Sequence, residues 1–169
     1  MWAIRAGLSA LLLAILAACS SAPSGPRFLT YDGPEVTRVI VQKEERWLHL
    51  MHHDQVLQSH RVYLGGSPNG HKEQRGDSRT PEGNYYIDRR NPRSRFHLSL
   101  GISYPNEDDI AFARQNGVDP GGDIFIHGRG PYFQRVNGDW TEGCIAVTDA
   151  EIEVIYAMVR DGTPITILP

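Results

Sequence analysis

The chain holds two cysteines, and they sit in unlike surroundings. Cys144 lies in Thr141-Glu142-Gly143-Cys144-Ile145, where a glycine lets the backbone approach a substrate closely. His127 lies in Ile124-Phe125-Ile126-His127-Gly128, a polar ring ending three apolar residues, seventeen positions before Cys144. A buried imidazole must be hydrogen-bonded or used. A free thiol has a pKa of ~8.5, so little of it is thiolate at neutral pH. An imidazole within reach can take its proton and later return it to a leaving amine. The intervening residues 128–143 are enough for the chain to turn back and bring the two side chains together. The amides of Gly143 and Cys144 are candidate donors to a developing oxyanion. A third group must hold the imidazole in the right tautomer; no Asp or Asn is obviously placed for this, and the carbonyl of Gly128 is a candidate.

The other cysteine belongs to the N-terminus. Arg5 precedes an uncharged apolar stretch from Leu8 to Ala18. Such a stretch suits the core of a signal peptide and is short for a membrane span of ~20 residues. It ends in Leu16-Ala17-Ala18-Cys19 and runs into Ser20-Ser21-Ala22-Pro23-Ser24-Gly25, which resembles a bacterial lipobox followed by a polar tether. The resemblance implies lipidation at Cys19 and a membrane anchor, and Ser20 after the cysteine fits sorting to the periplasmic face of an outer membrane. The expected division is residues 1–18 as signal, 19–35 as lipidated cysteine and flexible tether, and 36–169 as one domain. Acylation consumes the thiol of Cys19, so Cys144 is left as an odd thiol in an exported chain. It is then an inert core residue, an intermolecular bridge or a reactive group. Removing Arg5 takes the formal charge from -3 to -4, and no Lys/Arg block stands out, so nucleic acid is an unsuited partner.

The elements around these residues are mainly strands. Val36–Val41, Trp47–His53, Val56–Leu64, Asn84–Asp88, Arg95–Ile102, Asp123–His127 and Ile165–Leu168 have β composition, with breaks at 65–70 and 79–83. Two helices are punctuated. Asn106, with Glu107, Asp108 and Asp109 behind it, opens one that Gly117 closes. Thr148 and Glu151 have capping-box spacing for a second, whose apolar face is Ile152, Ile155, Tyr156 and Val159 and whose end is marked by Gly162 and Pro164. The fold expected is mainly β with helical insertions.

At this point the motifs resemble a family. His127-Gly128, followed by Thr141-x-Gly143-Cys144-Ile145, is similar to the signature of the YkuD-type L,D-transpeptidases. The turn Gly76-Asp77-x-Arg79-Thr80-Pro81-Glu82-Gly83-x-Tyr85 and the run Ser103-Tyr104-Pro105-Asn106 resemble other parts of that family, so the likeness covers about Val36 to Pro169. It implies a β-sandwich-like catalytic domain acting on peptidoglycan stem peptides. Cys144 is then the nucleophile and His127 the base and acid, with no metal or other cofactor. The family pattern has Arg two residues after the cysteine, where this chain has Ala146. Arg79, Arg129 and Arg135 are candidates to bind a substrate carboxylate instead, with Tyr104 and Thr141 as further substrate contacts. Water as acceptor makes the same site a hydrolase, an L,D-carboxypeptidase or protein-detaching amidase; loss of catalysis makes it a peptidoglycan-binding lipoprotein. The histidines at 49, 52, 53 and 60 lack the carboxylate or cysteine that completes a tetrahedral metal set.

Overall fold

A computed structural model describes residues 25–169, so the expected signal segment, Cys19 and residues 20–24 of the expected tether lie outside the described residues. Eight strands and two helices follow in the order β1 (Arg38–Gln42), β2 (Trp47–His52), β3 (Gln55–Arg61), β4 (Gly83–Ser94), β5 (His97–Ile102), α1 (Glu107–Asn116), β6 (Phe125–His127), β7 (Ile145–Ala146), α2 (Asp149–Met158) and β8 (Pro164–Leu168). The sheet order is β3-β2-β1-β8-β4-β5-β6-β7. The mainly β expectation holds.

The long strand β4 belongs to both halves of the sheet. Gly83 to Tyr86 pair with β8, and Ile87 to Ser94 pair with β5, with register shifts that bend the strand between them. Alternating apolar residues face inward along β1 and β2: Val39, Val41, Leu48 and Leu50 are fully buried. On the other half Leu98, Leu100 and Ile102 meet Ile126 and Ile145, and Ile152 and Ile155 of α2 cover them. The two ends of the sheet are tied together outside the regular strands. Tyr63, just past β3, exchanges backbone hydrogen bonds of 2.9 and 2.8 Å with Ala146 of β7.

Both helix starts are as expected. Asn106 accepts from the amides of Asp108 and Asp109, and Thr148 pairs with Glu151 in a capping box. The end of α2 departs from expectation: it stops at Met158, four residues before Gly162. Arg90 explains the early stop. Its guanidinium donates to the carbonyls of Tyr156 and Val159 and stacks on the Tyr156 ring, capping carbonyls that a further turn would occupy. Gly162, at φ +86°, makes the turn into β8 instead. Strand β7, whose two residues carry too short a pattern to read, was not expected at all. The segment expected as flexible tether is also shorter than read. Arg27 donates from its N–H and its Nε to Glu153, each at 2.8 Å, and Phe28 packs edge-on against Tyr156, so the chain is already docked on α2 by residue 27.

Candidate active site

Strand pairing brings the two chemical residues together. Strand β6 runs parallel to β7 with Ile126 opposite Ile145 and His127 opposite Ala146. The chain entering β7 therefore delivers Cys144 beside the strand that ends in His127; neighbouring strands lie ~4.8 Å apart. Both side chains line one cleft of about 560 Å³. The thiol is half-buried, neither entombed nor freely solvated.

Local bonds hold the Cys144 segment. The Thr141 hydroxyl donates to the Cys144 carbonyl at 2.7 Å and accepts from the Gly143 amide at 3.2 Å. Backbone bonds from Thr141 N to Leu64 O and from Gly66 N to Thr141 O fix the segment to the 64–66 loop. Gly143 is required by shape: its φ is +125°, and a Cβ there would lie 2.6 Å from the Arg79 carbonyl oxygen. The Gly143 amide is engaged by Thr141 in the resting site. The Cys144 amide has no protein partner among the described residues.

His127 is equally constrained. Its Nδ1 lies 2.5 Å from the Gly128 carbonyl, and since a carbonyl only accepts, Nδ1 carries the proton and Nε2 is left with a lone pair. Phe96 stacks on the imidazole at 4.4 Å between centroids, and Trp140 meets it edge-on at 5.8 Å. Phe133 stacks on Trp140 at 4.7 Å and completes an aromatic wall. Burial in this wall holds the imidazole below its ordinary pKa, only partly offset by the Gly128 carbonyl and the Asp149 carboxylate. Burial likewise pushes the Cys144 thiol up to about 11, partly offset by the Phe125 amide and reinforced by the carboxylates of Asp123 and Glu142. Both shifts favour the uncharged forms, a neutral thiol beside a neutral imidazole.

Asp149, in the first turn of α2, organises the loop after His127. Its Oδ1 accepts from the amides of Arg129 and Gly130 at 2.7 and 2.9 Å. Gly128 passes beneath it, where a Cβ would sit 2.6 Å from the carboxylate oxygen.

The expected substrate residues separate into two groups. Thr141 lines the cleft; Arg79, Arg129, Arg135 and Tyr104 do not. Arg129 is 6 % exposed, lies over the Tyr63 ring at 4.4 Å and donates to the carbonyls of Phe133, Gln134 and Val136, so it braces a loop and faces no substrate. Arg79 points toward Glu73 and the His71 carbonyl. Arg135 is exposed on the loop, and the Tyr104 hydroxyl is buried against the Pro120 carbonyl at 2.9 Å. The cations that do line the cleft are Lys72, Arg75 and Arg95, with Phe96, Phe133 and Trp140 beside them. None of these stood out in the sequence, although Trp140 directly precedes the Thr141 motif and Arg95-Phe96 directly precedes β5. Among the described residues no cluster of three metal-binding side chains is present.

With this geometry in view, comparison with known families is decisive. The YkuD family, described as the L,D-transpeptidase catalytic domain, matches residues 36–167. The chain belongs to this family. YafK of Escherichia coli K12 is 32% identical over 126 residues, covering 69% of this chain and 44% of YafK. The YkuD domain here thus spans less than half the length of that curated relative. Among solved structures, the helical cell shape determining protein Pgp2 of Campylobacter jejuni has a TM-score of 0.62 at 22% identity, over 86% of this chain and 51% of that one. Bd1075 of Bdellovibrio bacteriovorus gives 0.60 at 24%, over 87% and 53%. An L,D-transpeptidase from Mycobacterium smegmatis gives 0.54 at 13%, over 79% and 59%. These likenesses establish a YkuD fold for the chain.

Proposed function

We propose that the protein is a peptidoglycan L,D-transpeptidase working through a Cys144 acyl-enzyme. The observation that carries this reading is one cleft lined by both a half-buried thiol and an imidazole whose Nε2 is left free by the Nδ1–Gly128 bond. His127 Nε2 takes the thiol proton as sulfur adds to the carbonyl carbon on the L side of an L,D bond. The Cys144 amide faces the resulting oxyanion. As the C–N bond breaks, His127 returns the proton to the departing amine, leaving a thioester. An acceptor amine then adds to the thioester, His127 removes its proton, and C–S cleavage restores the thiol. The bond energy passes through the thioester, so no nucleotide is consumed.

Position 146 favours a second reading, with water as acceptor. Ala146 is buried, and its backbone is occupied by Tyr63. It offers no cation to an incoming substrate. The site then trims stem peptides or detaches a bound protein. Muropeptide mass spectrometry on purified sacculi separates these outcomes: new dimers mark transpeptidation, shortened stems mark carboxypeptidase action, and released protein remnants mark detachment. Identical products from the wild type and Cys144→Ala would rule out catalysis and leave a peptidoglycan-binding role.

Anchoring through a lipid at Cys19, on the periplasmic face of an outer membrane, completes the reading. Its support is the Ala17-Ala18-Cys19-Ser20 run. Incorporation of labelled palmitate that is lost in Cys19→Ala tests it.

A further inference from the structure

Five charged side chains line the cleft: Lys72, Arg75, Arg95, Asp123 and Glu142. Three already have an ionic partner. Lys72 lies 2.8 Å from Asp77, Arg75 2.7 Å from Asp119, and Asp123 3.3 Å from Arg89. Arg95 and Glu142 have none among the described residues.

The charges are also divided in space. Glu142 and Asp123 belong to the sulfur side: Glu142 is two residues from Cys144, and the Asp123 carbonyl touches Sγ. Arg95 belongs to the imidazole side. Its guanidinium carbon lies 4.9 Å from the centre of the Phe96 ring, whose other contacts are His127, Phe133 and Trp140.

In the acyl-transfer reading, on which this inference rests, His127 must hand its proton to the departing amine. The leaving group therefore sits on the imidazole side. An amino acid released from the end of a stem carries a carboxylate one carbon from that amine. On the sulfur side such a carboxylate would meet Asp123 and Glu142. On the imidazole side it meets Arg95, an exposed cation with no competing anion, lying over the Phe96 ring that itself stacks on His127. Lys72 and Arg75 are poorer partners. The first is buried with Asp77 and the Gln74 carbonyl, and the second is matched to Asp119, which the Gly121 amide holds in place.

We propose that Arg95 binds the carboxylate of the leaving amino acid, making the site selective for L,D bonds whose departing residue is a free C-terminal acid.

The test uses two synthetic donor peptides that differ only at the leaving residue, one ending in D-alanine acid and one in D-alaninamide. The wild type is expected to prefer the acid. Arg95→Gln should raise KM for the acid about 10- to 100-fold with little change in kcat, and leave the amide unaffected. Arg95→Lys should recover part of the loss. Near-UV circular dichroism and the unchanged amide rate separate this from misfolding. Equal use of both donors by the wild type, or an Arg95→Gln effect that is the same on both, overturns the assignment. Absence of any Cys144-dependent turnover overturns the acyl-transfer reading and the subsite with it.

Discussion

The Cys144 thiol donates to the Asp123 carbonyl oxygen at 3.5 Å. A carbonyl at that position stabilises the protonated sulfur, and Asp123 presents it from a left-handed backbone, φ +56°, that a residue other than glycine rarely adopts. Cys144 therefore rests as a protected thiol.

Alkylation kinetics check this directly. With the thiol pushed up to about 11, iodoacetamide should label Cys144 at pH 7 more slowly than a thiol in a short unfolded peptide, by about 10- to 100-fold. The rate should climb about tenfold per pH unit from 7 to 10. A plateau already reached at pH 6 would mean a resting thiolate and a preformed ion pair.

His127→Gln should lower kcat by about 10²- to 10⁴-fold while leaving the fold intact, because the imidazole is both base and acid in the sequence of steps above. Burial keeps His127 below its ordinary pKa, so its neutral, basic form persists to lower pH than for a solvated histidine. The acid limb of the kcat/KM profile should accordingly fall below pH 6.5.

Gly143→Ala should cost activity and stability together. The added methyl would lie 2.6 Å from the Arg79 carbonyl in a backbone of φ +125°, so either segment must shift. A loss of about 1–3 kcal/mol in urea unfolding is expected. Full stability with full turnover would show that the segment has room to adapt.

Arg129 supports the aromatic wall from behind, through three carbonyls of the loop that carries Phe133. Arg129→Met should destabilise by about 1–3 kcal/mol by leaving those acceptors unpaired. It should also red-shift tryptophan emission as Trp140 loses its stack on Phe133. An unchanged spectrum would detach Arg129 from the wall.

Asp77 makes stability depend on acid. Burial works against its ionised form, but the Lys72 ammonium and the amides of Gln74, Arg79 and Glu73 outweigh it and hold the carboxyl at about 2, from an ordinary 3.8. The folded value lies below the unfolded one. The contribution is therefore complete above about pH 4 and disappears as pH falls toward 2. Asp77→Asn should lower the unfolding midpoint at pH 7 and shrink the difference between pH 7 and pH 2.5.

Much of this site was legible because its signals are local. Cys144, His127 and the helix caps at Asn106 and Thr148 announce themselves by type and spacing. The Gly128 carbonyl was legible too, since it is the nearest acceptor to Nδ1. What stayed hidden depends on contacts between distant segments. Whether Arg129 turns to substrate or to its own loop is decided by Tyr63 and by the carbonyls it meets. The aromatic wall gathers Phe96, Phe133 and Trp140 from separate stretches, and no periodicity links them. Gly143 was rightly singled out for its conformation. The partner that takes its amide, the Thr141 hydroxyl, emerges only when the turn is closed.

The bridge between Tyr63 and Ala146 has a bearing on what can reach Cys144. A bare strand margin invites a peptide to add itself as one more strand. Here β6 occupies one side of the short strand following Cys144 and Tyr63 the other, so that margin is already taken. On the proposed function, a stem peptide would then be gripped by its side chains and termini rather than by backbone pairing along β7.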